Sequence, residues 1–241
     1  FAAAHRGHVS MVGFTAVLPS AAGRIMEREL KSLSKALEKP EKPSVYVMGG
    51  AKADDSLEIS KYVLSNGIAD YVLVGGVTSQ LFLAAKGVDL GKKNMDFLAK
   101  KELTGLIPGI KALMEQYPTK VVVPVDIALD VNGKRKEIPL SKLPTEYSIF
   151  DIGAKTVENY TKIISSAKSI VVSGPMGVYE NKEFNFGTKA VFEAIANSKA
   201  FSLAGGGNTI AAIEEYGLTK KISYISTAGG ALIEFLMGKK L

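Results

Sequence analysis

Val45-Tyr46-Val47-Met48-Gly49-Gly50-Ala51-Lys52-Ala53-Asp54-Asp55 joins a short apolar run to a glycine pair and then opens into a helical pattern. An unbroken apolar run fits a strand buried on both faces, and strand, glycine turn and helix in succession make the start of a parallel βα unit. The succession recurs at Tyr71-Val72-Leu73-Val74 into GGVTSQ, Ile170-Val171-Val172 into SGPMGVYE, Phe201-Ser202-Leu203-Ala204 into GGGNT, and Ser223-Tyr224-Ile225 into STAGGA. In a parallel sheet all these turns fall at the carboxyl ends of strands, along one rim. Glycines there let backbone amides approach a ligand, and each following helix adds partial positive charge at the same place. The expected ligand is an anion, foremost a nucleotide.

Working outward, apolar spacing predicts helices over 55–65, 78–86, 96–116 with a break near Pro108, 156–167, 187–197, 208–216 and 230–236. Further strands are expected at Val121–Val123, Ile127–Leu129 and Ile149–Phe150, and Asn132-Gly133 is a hairpin signal. The fold class that follows is α/β: a three-layer, doubly wound, mainly parallel sheet of Rossmann-like kind with a small antiparallel insertion. Ahead of it a helix is expected over 21–38, with Ser20 as its cap and Pro40 and Pro43 marking its end. The opening FAAAHRGHVSMVGF lacks an initiator methionine and is apolar, so the chain reads as a fragment and this helix as a connector to a missing amino-terminal part.

Composition narrows the classes. The 241 residues are 46% apolar, enough for one large core, and contain no cysteine, which excludes disulfides, thiolate metal sites and cysteine nucleophiles. No run approaches the roughly 20 apolar residues of a membrane span, so a cytoplasmic protein without a membrane partner is expected. Lysine and arginine number 30 against 24 acidic residues, but the lysines are spread over helix surfaces without clustered arginine and aromatics. A nucleic-acid partner is therefore not expected. Neither GxxxxGK[ST] nor GxGxxG with its distant acidic residue occurs, which argues against a P-loop enzyme and an NAD-dependent oxidoreductase. A single GG pair would be weak evidence, since tight turns use glycine for steric reasons alone; five such turns on one rim are stronger.

GGAK at 49–52, PVD at 124–126, GPMGVYE at 174–180, GGGNT at 205–209 and STAGGA at 226–231 together resemble, in order, the motif series of the phosphoglycerate kinase family. The resemblance implies reversible phosphoryl transfer between 1,3-bisphosphoglycerate and MgADP, giving 3-phosphoglycerate and MgATP. It also implies that 1–18 is a remnant of the amino-terminal substrate domain, 19–39 the interdomain connector helix and 40–241 the nucleotide-binding domain. Roughly the first 40% of a two-domain member would be missing, and the final GKKL would stop short of the family's returning terminal segment. Little turnover is expected of such a piece alone.

By the same resemblance Lys52, Gly229 and Gly230 contact the phosphoryl group in transfer. Gly50, Ala51, Gly206, Gly207, Asn208 and Thr209 attend the nucleotide phosphates, and Gly75, Gly76 and Pro175 wall the adenosine. Glu180 accepts from the ribose hydroxyls, and His5 and Arg6 face the phosphoglycerate. Asn208 takes the place of a common magnesium-binding aspartate and is also a natural helix cap. Ser56 stands where a lysine is common, Ser173 replaces an asparagine, and Ala228 interrupts a glycine triplet; such departures are compatible with a divergent, archaeal-type branch. The other reading of the glycine rim is a non-catalytic nucleotide-binding module, which would not need Lys52 at the transfer point.

Overall fold

Strand β1 (Ser44–Met48) is buried throughout, with Tyr46 and Met48 entering one hydrophobic cluster and Val45 and Val47 another. A strand covered on both faces belongs in the middle of a parallel sheet. In the computed structural model, which describes residues 1–239, it lies there. β1 pairs in parallel with β2 (Tyr71–Val74) on one side and β7 (Ser169–Ser173) on the other. β3 (Val121–Val122) extends the sheet beyond β2, and β8 (Phe201–Gly205) and β9 (Tyr224–Ile225) extend it beyond β7. The order β3-β2-β1-β7-β8-β9 means that the chain winds outward from β1, then restarts beside β1 and winds the other way. The crevice between the carboxyl ends of β1 and β7 is thus the switch point at which such sheets hold ligands.

Helices cover both faces. α1 (Arg24–Leu37), α2 (Ala53–Ser65), α3 (Gly76–Ala85), α4 (Lys92–Lys100), α5 (Ile107–Gln116) and α9 (Gly230–Leu236) add to the Tyr46 cluster. α6 (Ala154–Ser166), α7 (Phe186–Asn197) and α8 (Gly207–Glu215) close the Val45 side. Three strands, β4 (Asp126–Val131), β5 (Lys134–Pro139) and β6 (Ser148–Ile152), form a separate antiparallel sheet in the order β5-β4-β6. Asn132 and Gly133 both take positive φ, as a two-residue type I′ hairpin requires, and Val131 pairs with Lys134 across it.

Several local expectations are corrected. Ser20 does not cap α1: its hydroxyl donates to the Leu18 carbonyl, and the helix starts after Gly23. The expected helix over 96–116 is two helices that break after Lys100, where Glu102 adopts positive φ; Pro108 sits in the first turn of α5, where a missing N–H costs little. The cap position of α8 is Gly206, whose φ of 92° turns the chain, so Asn208 lies inside the first turn rather than at its cap. Lys240 and Leu241 of the GKKL ending lie outside the described residues. Among the described residues no helix is long and apolar enough to cross a membrane.

Two buried carboxylates tie distant segments together. Asp126 of the PVD motif accepts from the Thr156 amide at 2.8 Å and the Lys155 amide at 3.0 Å, capping α6 from outside its own chain segment. Glu29 of α1, wholly buried, accepts from the Thr227 amide and hydroxyl, each at 2.7 Å, and from the Ser226 hydroxyl at 3.1 Å.

Candidate nucleotide site

The carboxyl ends of β1, β7 and β8 meet over a groove with two lobes that share Gly50, Ala51, Pro175 and Asn208. The first lobe, about 170 Å³, lies between the start of α3, residues 149–151 of β6 and the 175–180 segment. The second, about 300 Å³, lies between the start of α2, the end of β7, the first turn of α8 and Gly229. A lobe that sets Val77, Ile149, Phe150 and Val178 beside the polar Ser79, Gln80, Asp151, Glu180 and Asn208 suits a nucleoside. A lobe of glycine backbone, a helix N-terminus and one lysine suits phosphates.

The rim glycines divide into two kinds. Gly50 and Gly76 spend their amides on the Pro175 and Met176 carbonyls, at 2.8 and 2.7 Å. At Gly49 an added Cβ would stand 2.2 Å from the Pro175 carbonyl, and at Gly75 2.5 Å from the Met176 sulfur. These glycines let neighbouring turns pack, and Gly75 lies beneath the first lobe without lining it. At Gly207 and Gly229, in contrast, a Cβ would meet nothing within 4 Å, so bare backbone opens onto the groove. The expectation of ligand-facing amides therefore fits the α8 turn and Gly229 better than the turns after β1 and β2.

Lys52 is exposed in the second lobe, at the position before α2. Its carbonyl accepts from the hydroxyl of Ser56, which is buried and closes the first turn of α2. Asp55 lines the same lobe, and burial, reinforced by the charge of Asp54, raises its carboxyl above the usual range. The Thr209 hydroxyl accepts from the Gly174 amide at 2.7 Å and so braces the end of β7 against α8. Glu180 is exposed at the edge of the first lobe. His5 stands against α9, 2.7 Å from where a Cβ of Gly230 would be, whereas Arg6 is exposed and lines neither lobe.

Sequence reasoning missed Gln80, Ile149, Phe150 and Asp151 as lining residues. They reach the groove from mid-α3 and from the second sheet, and no local motif marks them. Asp151 is nearly fully buried, and burial pushes its carboxyl up to about 6 although Arg135 sits 2.7 Å away. Among the described residues no group of three or more His, Cys, Asp or Glu side chains could hold a metal ion. The groove offers a cation the Asn208 amide oxygen and the Asp55 carboxylate. That sparse donor set suits magnesium carried on a nucleotide's own phosphate oxygens.

The family model described as phosphoglycerate kinase matches residues 1–239. The phosphoglycerate kinase of Methanothermus fervidus is 46% identical over 241 residues, covering all of this chain and 58% of that protein. That of Pyrococcus abyssi is 47% identical and is covered over 60% of its length. The crystal structure of phosphoglycerate kinase from Pyrococcus horikoshii OT3 superposes with a TM-score of 0.92 at 43% identity, covering 100% of this chain and 60% of that one. The chain thus spans about 60% of the length of these relatives.

Proposed function

The chain belongs to the phosphoglycerate kinase family, and from that premise we propose that it is the nucleotide-binding part of an enzyme that transfers a phosphoryl group reversibly between 1,3-bisphosphoglycerate and MgADP. The observation that carries this reading is the two-lobed groove at the switch point, one lobe walled by apolar side chains with polar groups at its edge and one built largely from glycine backbone. In it, residues 40–241 bind the nucleotide, 19–39 form the connector and 1–18 belong to the phosphoglycerate-binding domain, the remainder of which would be the partner.

ADP or ATP lies with its nucleoside between Gly76 and Pro175, its ribose hydroxyls toward Glu180 and its phosphates over the first-turn amides of α8. Lys52 reaches the phosphoryl group in transfer from one side, with Gly229 and Gly230 on the other. His5 and Arg6 face the phosphoglycerate. Magnesium, when bound with the nucleotide, neutralises phosphate charge. The chain's own work is positioning: it holds donor and acceptor in line, keeps water away and sets a fixed lysine where charge develops. Half of that arrangement belongs to the other domain, so this chain alone turns over little.

Calorimetric titration with ADP, with and without magnesium, on this chain and on Gly206→Asp tests the site. Saturable one-site binding that the variant abolishes is expected, since a carboxylate there would meet the phosphates. A folded chain that binds no ADP would overturn the assignment for this chain.

A further inference from the structure

Asp151, on β6, lines the nucleoside lobe and is 3% exposed. Its Oδ2 accepts two hydrogen bonds of 2.7 Å, one from the Gly187 amide in the first turn of α7 and one from Nη1 of Arg135 on β5. Its Oδ1 has no hydrogen-bond partner. That oxygen occupies space that only glycines leave open: an added Cβ would come within 2.5 Å of it at Gly177 and within 2.3 Å at Gly187. The adjoining Val178 amide donates to the Phe150 carbonyl at 2.8 Å, hanging the same turn on β6. Arg135 is held in its turn, donating to Glu137 at 2.8 Å and to the Ile152 carbonyl at 2.8 Å while its guanidinium stands 5.0 Å from the Phe186 ring centre. Residues 174–187, which carry Pro175, Val178 and Glu180, are thus bonded to the Asp151 carboxylate at Gly187 and to the adjoining Phe150 carbonyl at Val178, with Gly177 packed against the unbonded Oδ1.

We propose that Asp151 and Arg135 are positioning residues for the nucleotide: Asp151 holds the 174–187 wall of the nucleoside lobe against β6, and Arg135, on the outer hairpin, keeps that carboxyl ionised and in place. The inference rests on reading the groove as a nucleotide site. A carboxylate buried this deeply takes up a proton unless a cation and hydrogen bonds hold it charged. Arg135 does so only in part, because burial still pushes the carboxyl up to about 6. The charged and titratable groups around it are Arg135, with its partner Glu137, from β5 and Tyr216 after α8, which itself faces Glu215, Tyr179 and Glu180. Tyr216 is pushed up to about 12 and stays neutral over the working range. Protonation of Asp151 weakens both of its accepted bonds, so the wall loosens as the pH falls through about 6.

The test is ADP titration by calorimetry at several values between about pH 5.5 and pH 8, on this chain, Asp151→Asn and Arg135→Met, each with a thermal melt. The nucleotide's own phosphate titrates in this range, so the quantity read is the ratio of parent to variant affinity at each pH. Near pH 8 both variants should melt cooperatively yet bind ADP roughly ten-fold more weakly. The parent's advantage over Asp151→Asn should vanish below about pH 6. Variants that fold and bind as tightly as the parent, or a parent-to-Asn ratio that is flat with pH, would overturn the proposal. Should Asp151→Asn fail to fold, Arg135→Met carries the same comparison. A parent that binds no ADP at any pH would sink the nucleotide reading itself, and this inference with it.

Discussion

Gly153 is a glycine because of a residue 27 positions earlier: an added Cβ would stand 2.3 Å from the Asp126 carboxyl carbon that caps α6. Asp126→Ala should cost about 1–2 kcal/mol, read as a lower urea midpoint at unchanged slope, because two first-turn amides lose their acceptor. The motif containing Asp126 was legible in the sequence, but its structural duty was not, since the helix it caps comes much later in the chain. Lys52 is the opposite case, a residue whose proposed role is read from its own glycine turn. In a two-domain form of the enzyme, Lys52→Met should lower kcat by roughly 10²–10³-fold while ADP binding survives, as expected of a group that acts on developing charge. Equal losses in binding and turnover would assign it to simple nucleotide attraction. Asp151 also makes stability depend on pH. Its carboxyl holds a proton more tightly folded, at about 6, than at the ordinary 3.8, so folding gains as pH drops through that window and the gain is absent above it. Between about pH 7 and pH 5 the unfolding free energy of the parent should therefore rise relative to that of Asp151→Asn; a constant difference would mean an ordinary carboxyl.

At the scale of elements, α1 is more than a cover for the sheet. It packs on β7 and β8, and its buried Glu29 takes three hydrogen bonds from residues 226 and 227, which lead to Gly229 and α9. Glu29→Gln keeps the shape but gives up charge-assisted acceptance, and should destabilise by about 1–3 kcal/mol. Hydrogen exchange should show the amides around Thr227 opening first; uniform loosening of the whole chain would refute a local role. Elements with strong local chemistry were readable: the Asn132-Gly133 hairpin takes the two positive φ values its turn demands, and α9 has the expected bounds. The end of α4 was not, because Glu102 enters the left-handed region without any glycine to announce it. The antiparallel insertion was expected from its hairpin, but not which further strand joins it. Ile149 and Phe150 look like any short strand, and only the pairing of Ile149 with Leu129, next to Ser148 with Asp130, assigns them to the second sheet.

For the whole molecule, a ligand that binds only the folded chain must raise its stability. ADP at about one hundred times its dissociation constant should add about 2.7 kcal/mol, a shift of several degrees in the melting temperature, and Gly206→Asp should show none. An equal shift in both chains would place the nucleotide elsewhere. By itself the sequence determined the α/β class and the parallel glycine rim, because each is written in contiguous residues through periodicity, backbone freedom and helix polarity. Tertiary structure alone decided which rim glycines open onto the groove and which merely let turns pack, and how Gln80, Phe150 and Asp151 come to wall its first lobe. Those outcomes depend on distances between turns far apart along the chain, which strand order and sheet register set and no local pattern encodes.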